Sequence, residues 1–410
     1  GTPDSASFRD NTLGFFQDGA IDENGLTVVG KFQFNIAGNT VTTGKYEPLL
    51  GTPFNVDPEA EAAVGYKLSP IGGVSVGHAG TDFMGSYTNS STAKLVQTSD
   101  STKIFKAYLL VTASQRNVGN VAAKAPMSHY GVCLKGPKGT IERYYPEIVY
   151  QDGAGQRASC YFDVTDFVKE QGYGTYTGIN VPFSDINGTA QAAVGSDCFG
   201  GWKLIVIEEN PDLESTRMVR LKLGGTAVNT TLAPEVIISG DGLMVAPNPT
   251  GELLISMDGT DLDNTEQSLQ SGSSTLGLSK LSMGVVRPAT NFFSFTINNK
   301  DRDMEPNPAS RTVNAKYPNF PTNHQTFYTD FGVSGFEALA REDGKPLLSG
   351  GETSFKVKTK TSKDPTLMSA VGLVADIVVP EFATTFTIAN QTRTFATSEP
   401  GYSPVSRYAQ

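Results

Sequence analysis

The chain has 410 residues, with 32 basic and 42 acidic side chains and a formal net charge of −10. That balance argues against a nucleic-acid binder, which needs a cationic surface for phosphates, and no stretch approaches the ~20 apolar residues of a membrane-spanning helix. Three cysteines are too few for a disulfide scaffold, while 43 Gly and 23 Pro among abundant Thr and Ser point to many turns and short strands.

The first residues read as a polar N-terminal arm. From Thr27 to Ile36 polar and apolar residues alternate as in a half-buried strand. Lys103 to Ser114 reads as a second strand, followed by His129 to Leu134, Arg143 to Tyr150 and Arg157 to Asp163. Asp163 to Glu170 predicts a short helix, with Val164, Phe167 and Val168 on one face. Asp163 and Asp166 lie where a helix start favours acids. After a strand within Gly172 to Pro182 comes the most informative stretch, Cys198 to Pro211. A Gly-Gly-Trp entry leads into a continuous apolar run that stops at Glu208, Glu209, Asn210 and Pro211. Such a run, bounded by Gly and Pro, predicts a strand buried on both faces, with Trp202 as a core anchor.

Arg217 to Leu223 alternates cleanly. The second half restarts at Glu235 and continues through Glu252 to Met257, Asn291 to Asn298, Gln325 to Phe331 and Thr353 to Lys360. In the last of these, Lys356, Lys358 and Lys360 share one face, solvated or at a sheet edge. Met368 to Pro380 is a second continuous apolar run. The predicted fold is all-β: two jelly-roll-like β-sandwich domains with one or two short helices. Residues 1–228 form the first with its N-terminal arm, residues 235–382 the second, and residues 383–410 an extended C-terminal strand or tail.

Few residues point to chemistry. Asp258, Asp261, Asp263, Asn264 and Glu266 supply enough hard oxygens for Ca2+, although the spacing is not that of an EF-hand and solvated Asx-turns look alike. Calcium is therefore the single cofactor expectation, and none is required. Cys160 and Cys198 flank predicted strands and would pair in a disulfide if those strands are neighbours, leaving Cys133 over. His78, His129 and His324 are far apart and belong to no motif. Glu208 and Glu209 are adjacent on a strand and so point to opposite faces, which removes them as a glycosidase pair. With no nucleophile elbow either, the expectation is a non-enzyme.

Lys103, Lys106 and Lys203 lie in apolar strands and are the lysines expected to be buried. A buried lysine beside an Asp or Asn is a candidate for an intramolecular isopeptide bond when a nearby acid catalyses the step, against the alternative of snorkelling from a sheet edge. Tyr144, Tyr145, Tyr161 and Tyr173 would line a sugar platform if they converged, which keeps an extracellular carbohydrate-binding or carbohydrate-active protein as the alternative.

Several segments together carry a resemblance. Ser90 to Val111 closes on Ile-Phe-Lys-Ala-Tyr-Leu-Leu-Val. Asp163-Val-Thr-Asp166-Phe-Val is followed by Gly172-Tyr-Gly-Thr-Tyr-Thr. Gly201-Trp202-Lys-Leu-Ile-Val-Ile-Glu-Glu-Asn-Pro211 is the most specific block, and Asn291-Phe-Phe and Val371-Gly-Leu-Val-Ala-Asp376-Ile come later. In this order they resemble the N-terminal β-sandwich region of bacterial and archaeal adhesin-like cell-surface proteins, with Trp202, Asp163, Asp166 and Asp376 as markers. The resemblance implies secretion to the cell surface, a β-sandwich architecture and a structural or adhesive role. It supplies no catalytic residues. The expected function is a secreted, non-enzymatic surface protein, either a self-assembling filament or surface-layer subunit or an adhesin head. Its partners would be like subunits, joined by β-augmentation through the C-terminal tail or N-terminal arm, or a host or matrix ligand.

Overall fold

A computed structural model describes residues 8–10, 26–40, 90–114, 132–145, 149–151, 157–179, 200–239, 243–258, 267–284, 287–293, 298–299, 302–303, 324–331, 339–362, 366–379, 384–388 and 391–395. The fold is all-β with one described helix, and most of its strands lie in four sheets.

Sheet 1 has the order β4 (Ser90–Leu95), β10 (Gly174–Ile179), β6 (Val132–Lys135), β7 (Ile141–Tyr144). Sheet 2 has six strands: β1 (Phe8–Asp10), β8 (Val149–Gln151), β9 (Arg157–Asp163), β5 (Lys103–Ser114), β11 (Gly200–Glu209) and β3 (Phe32–Thr40). Sheet 3 runs β19 (His324–Phe331), β14 (Gly251–Asp258), β22 (Thr366–Asp376), β12 (Arg217–Val228), β2 (Leu26–Gly30). Sheet 4 runs β13 (Glu235–Ser239), β21 (Ser354–Thr361), β15 (Gln267–Ser273), β16 (Ser279–Ser282), β20 (Ala340–Arg341). Two further hairpins pair β17 (Asn298–Asn299) with β18 (Arg302–Asp303), and β23 (Thr384–Ile388) with β24 (Gln391–Phe395). Gly1–Ile377 packs as one compact unit and Val378–Gln410 as another.

Three cores set the layer order. The first lies between sheets 1 and 2 and holds Trp202, Leu204, Val206, Leu109, Tyr176 and Leu134. The third lies between sheets 3 and 4, with Leu253, Ile255, Leu373, Phe355, Phe292 and Phe293. Between them a middle core joins sheet 2 to sheet 3 through Phe34, Ile205, Ile207, Leu221, Leu254 and Val374. Strand β11 thus sends Trp202, Leu204 and Val206 to one core and Ile205 and Ile207 to another. This is the double burial that its unbroken apolar run predicts. All eleven residues of β22 are buried for the same reason. Burying each such side chain contributes roughly 1.5–3 kcal/mol before entropy is counted.

Two close approaches need glycine. A Cβ on Gly178 would meet the Trp202 ring at 2.3 Å, and one on Gly372 would meet the Phe34 ring at 2.7 Å. A large ring from sheet 2 therefore reaches a glycine of each neighbouring sheet.

The chain departs from the sequence reading in four places. The alternating run from Thr27 to Ile36 is two strands, not one: β2 ends at Gly30 and belongs to sheet 3, whereas β3 starts at Phe32 in sheet 2. Gly30 has φ +154°, a conformation that side-chain-bearing residues resist, and the turn is made there. Strand β12, counted with the N-terminal half by sequence, is hydrogen-bonded between β22 and β2 of sheet 3. The helix, α1, spans Thr165–Gln171 and begins two residues later than expected. Asp163 precedes the cap position, which Val164 holds, and its Oδ1 accepts from the backbone N of Thr165 at 3.0 Å and its hydroxyl at 2.6 Å. Finally, Lys356, Lys358 and Lys360 do share the outward face of β21, but β21 lies between β13 and β15 and is no edge.

Candidate functional site

Beside the middle core, the described residues include a fully buried ion pair. Lys203 faces sheet 3 from β11, in step with Ile205 and Ile207, and is 1% exposed. Its Nζ lies 2.9 Å from Oδ2 and 3.1 Å from Oδ1 of Asp258, whose side chain is 0% exposed at the end of β14. Nζ also donates to Ser256 Oγ, and the Ser256 and Ser369 hydroxyls are 2.8 Å apart. Burial pushes the Lys203 ammonium below its ordinary pKa, and the Asp258 carboxylate opposes that shift. Of the three lysines singled out by sequence, Lys203 is buried, Lys103 is exposed, and Lys106 is half-buried, 3.8 Å from Asp163.

A second buried carboxylate, Glu208, ends the first core. It accepts from Gln33 Nε2 at 2.8 Å, Asn35 Nδ2 at 2.7 Å and Thr98 Oγ1 at 2.9 Å, while Glu209 beside it is exposed. The opposite orientation follows from the two-residue period of a strand. Glu252 plays a comparable part on β14, where its Oε2 accepts from the backbone N of Phe34 at 2.7 Å and so ties sheet 3 to the edge strand of sheet 2. Asp376 closes the end of sheet 3. It accepts from Arg217 Nε at 3.0 Å and from both the backbone N and the hydroxyl of Thr250 at 2.8 Å.

A cleft of about 590 Å³ lies beside α1, lined by Phe105, Lys106, Glu142, Tyr144, Asp163 and Lys169 among others. Tyr144 donates to Glu142 Oε2 at 2.7 Å, and its ring packs tilted against Phe162 with centroids 5.4 Å apart. Asp166 lies in the first turn of α1 on the cleft wall. The four tyrosines proposed as a platform do not converge. Tyr144 and Tyr173 pack on the first core, Tyr161 packs on the middle core, and Tyr145 is exposed.

Of the five residues in the calcium expectation, Asp258 is the partner of Lys203; Asp261, Asp263, Asn264 and Glu266 lie outside the described residues. Among the described residues no group of three or more His, Cys, Asp or Glu side chains is placed to hold a metal ion. Cys160 is a buried free thiol facing the first core, and Cys133 is a second; Cys198 lies outside the described residues. Burial raises the pKa of both described thiols, which makes them poor nucleophiles. His324 lies on β19, and His78 and His129 fall outside the described residues. Trp202 is fully buried in the first core, as its sequence context predicts. Among the described residues no helix is long and apolar enough to cross a membrane.

No protein-family model matches the chain, and no curated protein sequence does. Among solved structures, N-glycanase F (PNGase F) matches with a TM-score of 0.21 and 10% identity, over 71% of this chain and 89% of that one. The major capsid protein P2 from bacteriophage PM2 matches with a TM-score of 0.17 and 12% identity, over 71% and 92%. A chain from Sulfolobus Turreted Icosahedral Virus matches with a TM-score of 0.15 and 8% identity, over 71% and 57%. At these scores the likenesses identify neither a family nor an activity.

Proposed function

We propose that the protein is a non-enzymatic structural subunit of an extracellular, cell-surface assembly, and that it joins like subunits by strand addition. The observation that carries this reading is the C-terminal hairpin. Among the described residues β23 and β24 pair only with each other, in a compact unit of their own from Val378 to Gln410. The pairing sets Thr385 opposite Thr394 and Thr387 opposite Thr392, and sets Thr384, Phe386 and Ile388 opposite Phe395, Arg393 and Gln391. Two strands alone are marginal in water, so such a hairpin gains most by adding to a further strand. The disposition of the buried polar groups agrees with a structural role, because Lys203, Glu208, Glu252 and Asp376 each tie one strand to another.

The test is removal of residues 383–410, followed by light scattering on a sizing column and negative-stain imaging. The full chain is expected to form ordered fibres or sheets and the shortened chain to remain monomeric. Assembly of the shortened chain to the same extent, or a full chain that stays monomeric, refutes the reading.

A further inference from the structure

We propose that Lys203 and Asp258 become joined by an amide bond between Nζ and Cγ, a covalent staple linking sheet 2 to sheet 3. The nucleophile and its electrophile are already in contact, with Nζ 2.9 and 3.1 Å from the two carboxylate oxygens. The pair sits where water is excluded, at 1% and 0% exposure, next to the middle core. In so apolar a place the charged pair is penalised, and transfer of one proton from the ammonium to the carboxylate leaves a neutral amine beside a neutral acid. Those are the two states that condense. Ser256 Oγ accepts from Nζ, and its contact with Ser369 at 2.8 Å gives the proton shed by nitrogen a hydroxyl relay.

The step balances without any co-reactant. The nitrogen lone pair attacks Asp258 Cγ and the C–N bond forms. The carboxyl C–OH bond then breaks, and the hydroxyl leaves with the proton lost from nitrogen. One water is released, and nothing is oxidised or reduced. Place matters as much as chemistry. Lys203 is near the start of β11 and Asp258 ends β14, so the staple pins the end of the middle interface opposite to the chain crossing at Asn210. The proposal is independent of the assembly reading: it concerns a bond within one chain, whether or not copies associate.

Intact-mass measurement of the full, denatured and reduced chain tests it. A mass about 18 Da below the sequence value, one water, is expected. Asp258 precedes Gly259 in the sequence, and an Asp-Gly pair can lose the same water by closing to a succinimide, so two controls are needed. Lys203→Arg keeps the cation but has no amine able to condense, and its deficit should vanish. A protease digest of the unmodified sequence should also yield one branched fragment in which the peptide carrying Lys203 is attached to that carrying Asp258. A chain at its full sequence mass, a deficit that survives Lys203→Arg, or a digest with no branched fragment overturns the proposal.

Discussion

Gly178 and Trp202 allow a sharp test of how the first sandwich is packed. Gly178 lies in β10, the strand paired on either side with β4 and β6. A Cβ added there would sit 2.3 Å from Cδ1 and Cγ of Trp202 and 2.5 Å from Nε1, so the ring would have to retreat by about 1 Å to reach ordinary contact. Trp202 has no room to do so, being 0% exposed among Leu109, Val111, Tyr176 and Leu204. Gly178 is not among the positive-φ glycines, so its backbone accepts alanine. Without the clash, Gly178→Ala would stabilise the fold by about 0.4–1 kcal/mol through the unfolded state. With it, overpacking should dominate and cost about 1–3 kcal/mol. Trp202→Ala removes all three ring atoms that the new methyl meets. That substitution alone should cost a cavity, yet the double variant should be more stable than additivity predicts, by about 1 kcal/mol or more. Urea unfolding followed by far-UV circular dichroism suits all four proteins, since the sole tryptophan is one of the mutated positions. A Gly178→Ala variant as stable as the parent or more so, or a double variant that is additive within about 0.5 kcal/mol, would refute the packing.

Glu208→Gln turns an amide donor toward three side chains that already donate, so it should lower stability by about 1–3 kcal/mol. The exposed neighbour variant Glu209→Gln should stay within about 0.5 kcal/mol of the parent in the same urea titration. Asp343 should show its effect in acid. The hydrogen bond from Arg341 is the main cause of a carboxyl pKa lowered from 3.8 to about 2. A folded pKa below the unfolded one adds stability above pH ~3.8 and loses it as pH falls toward ~2. Asp343→Asn should therefore flatten the acid dependence in that window, and an Asp343 carboxyl titrating near 3.8 by NMR would contradict the assignment.

How much of this was legible depends on the range over which each cause acts. The double burial of β11 could be read because an apolar run without alternation needs cover on both sides, and the split of Glu208 from Glu209 needs only the period of a strand. Which layers supply that cover could not be read, because an apolar face does not name its partner. Lys203 was recognisable as a buried lysine from its place in the run. Its partner was not: by spacing, Asp258 belongs with Asp261 and Asp263, whereas its contact is with a side chain 55 residues away in another sheet. The turn at Gly30 was hidden for a different reason. Alternation continues across it, so only the glycine conformation, and not the pattern of polarity, separates β2 from β3.

That turn explains why sheets 2 and 3 adhere as they do. The chain passes between them at β2 to β3 through Lys31, and again at β11 to β12 through residues 210–216. The two crossings lie side by side: Asn210 N donates to Lys31 O at 2.8 Å, and Lys31 Nζ to Pro211 O at 3.4 Å. Next to them, Glu252 ties β14 to Phe34. One end of the middle interface is thus closed by covalent chain, and the apolar side chains between the sheets supply adhesion along its length. Apolar contact is non-directional and resists sliding poorly, and a buried ion pair adds little net stability over apolar substitutes. Lys203 and Asp258, at the other end of the same strands, therefore matter for position more than for strength. Their contact, as the ion pair or as the proposed amide, joins the two sheets at the end of the interface away from the chain crossings.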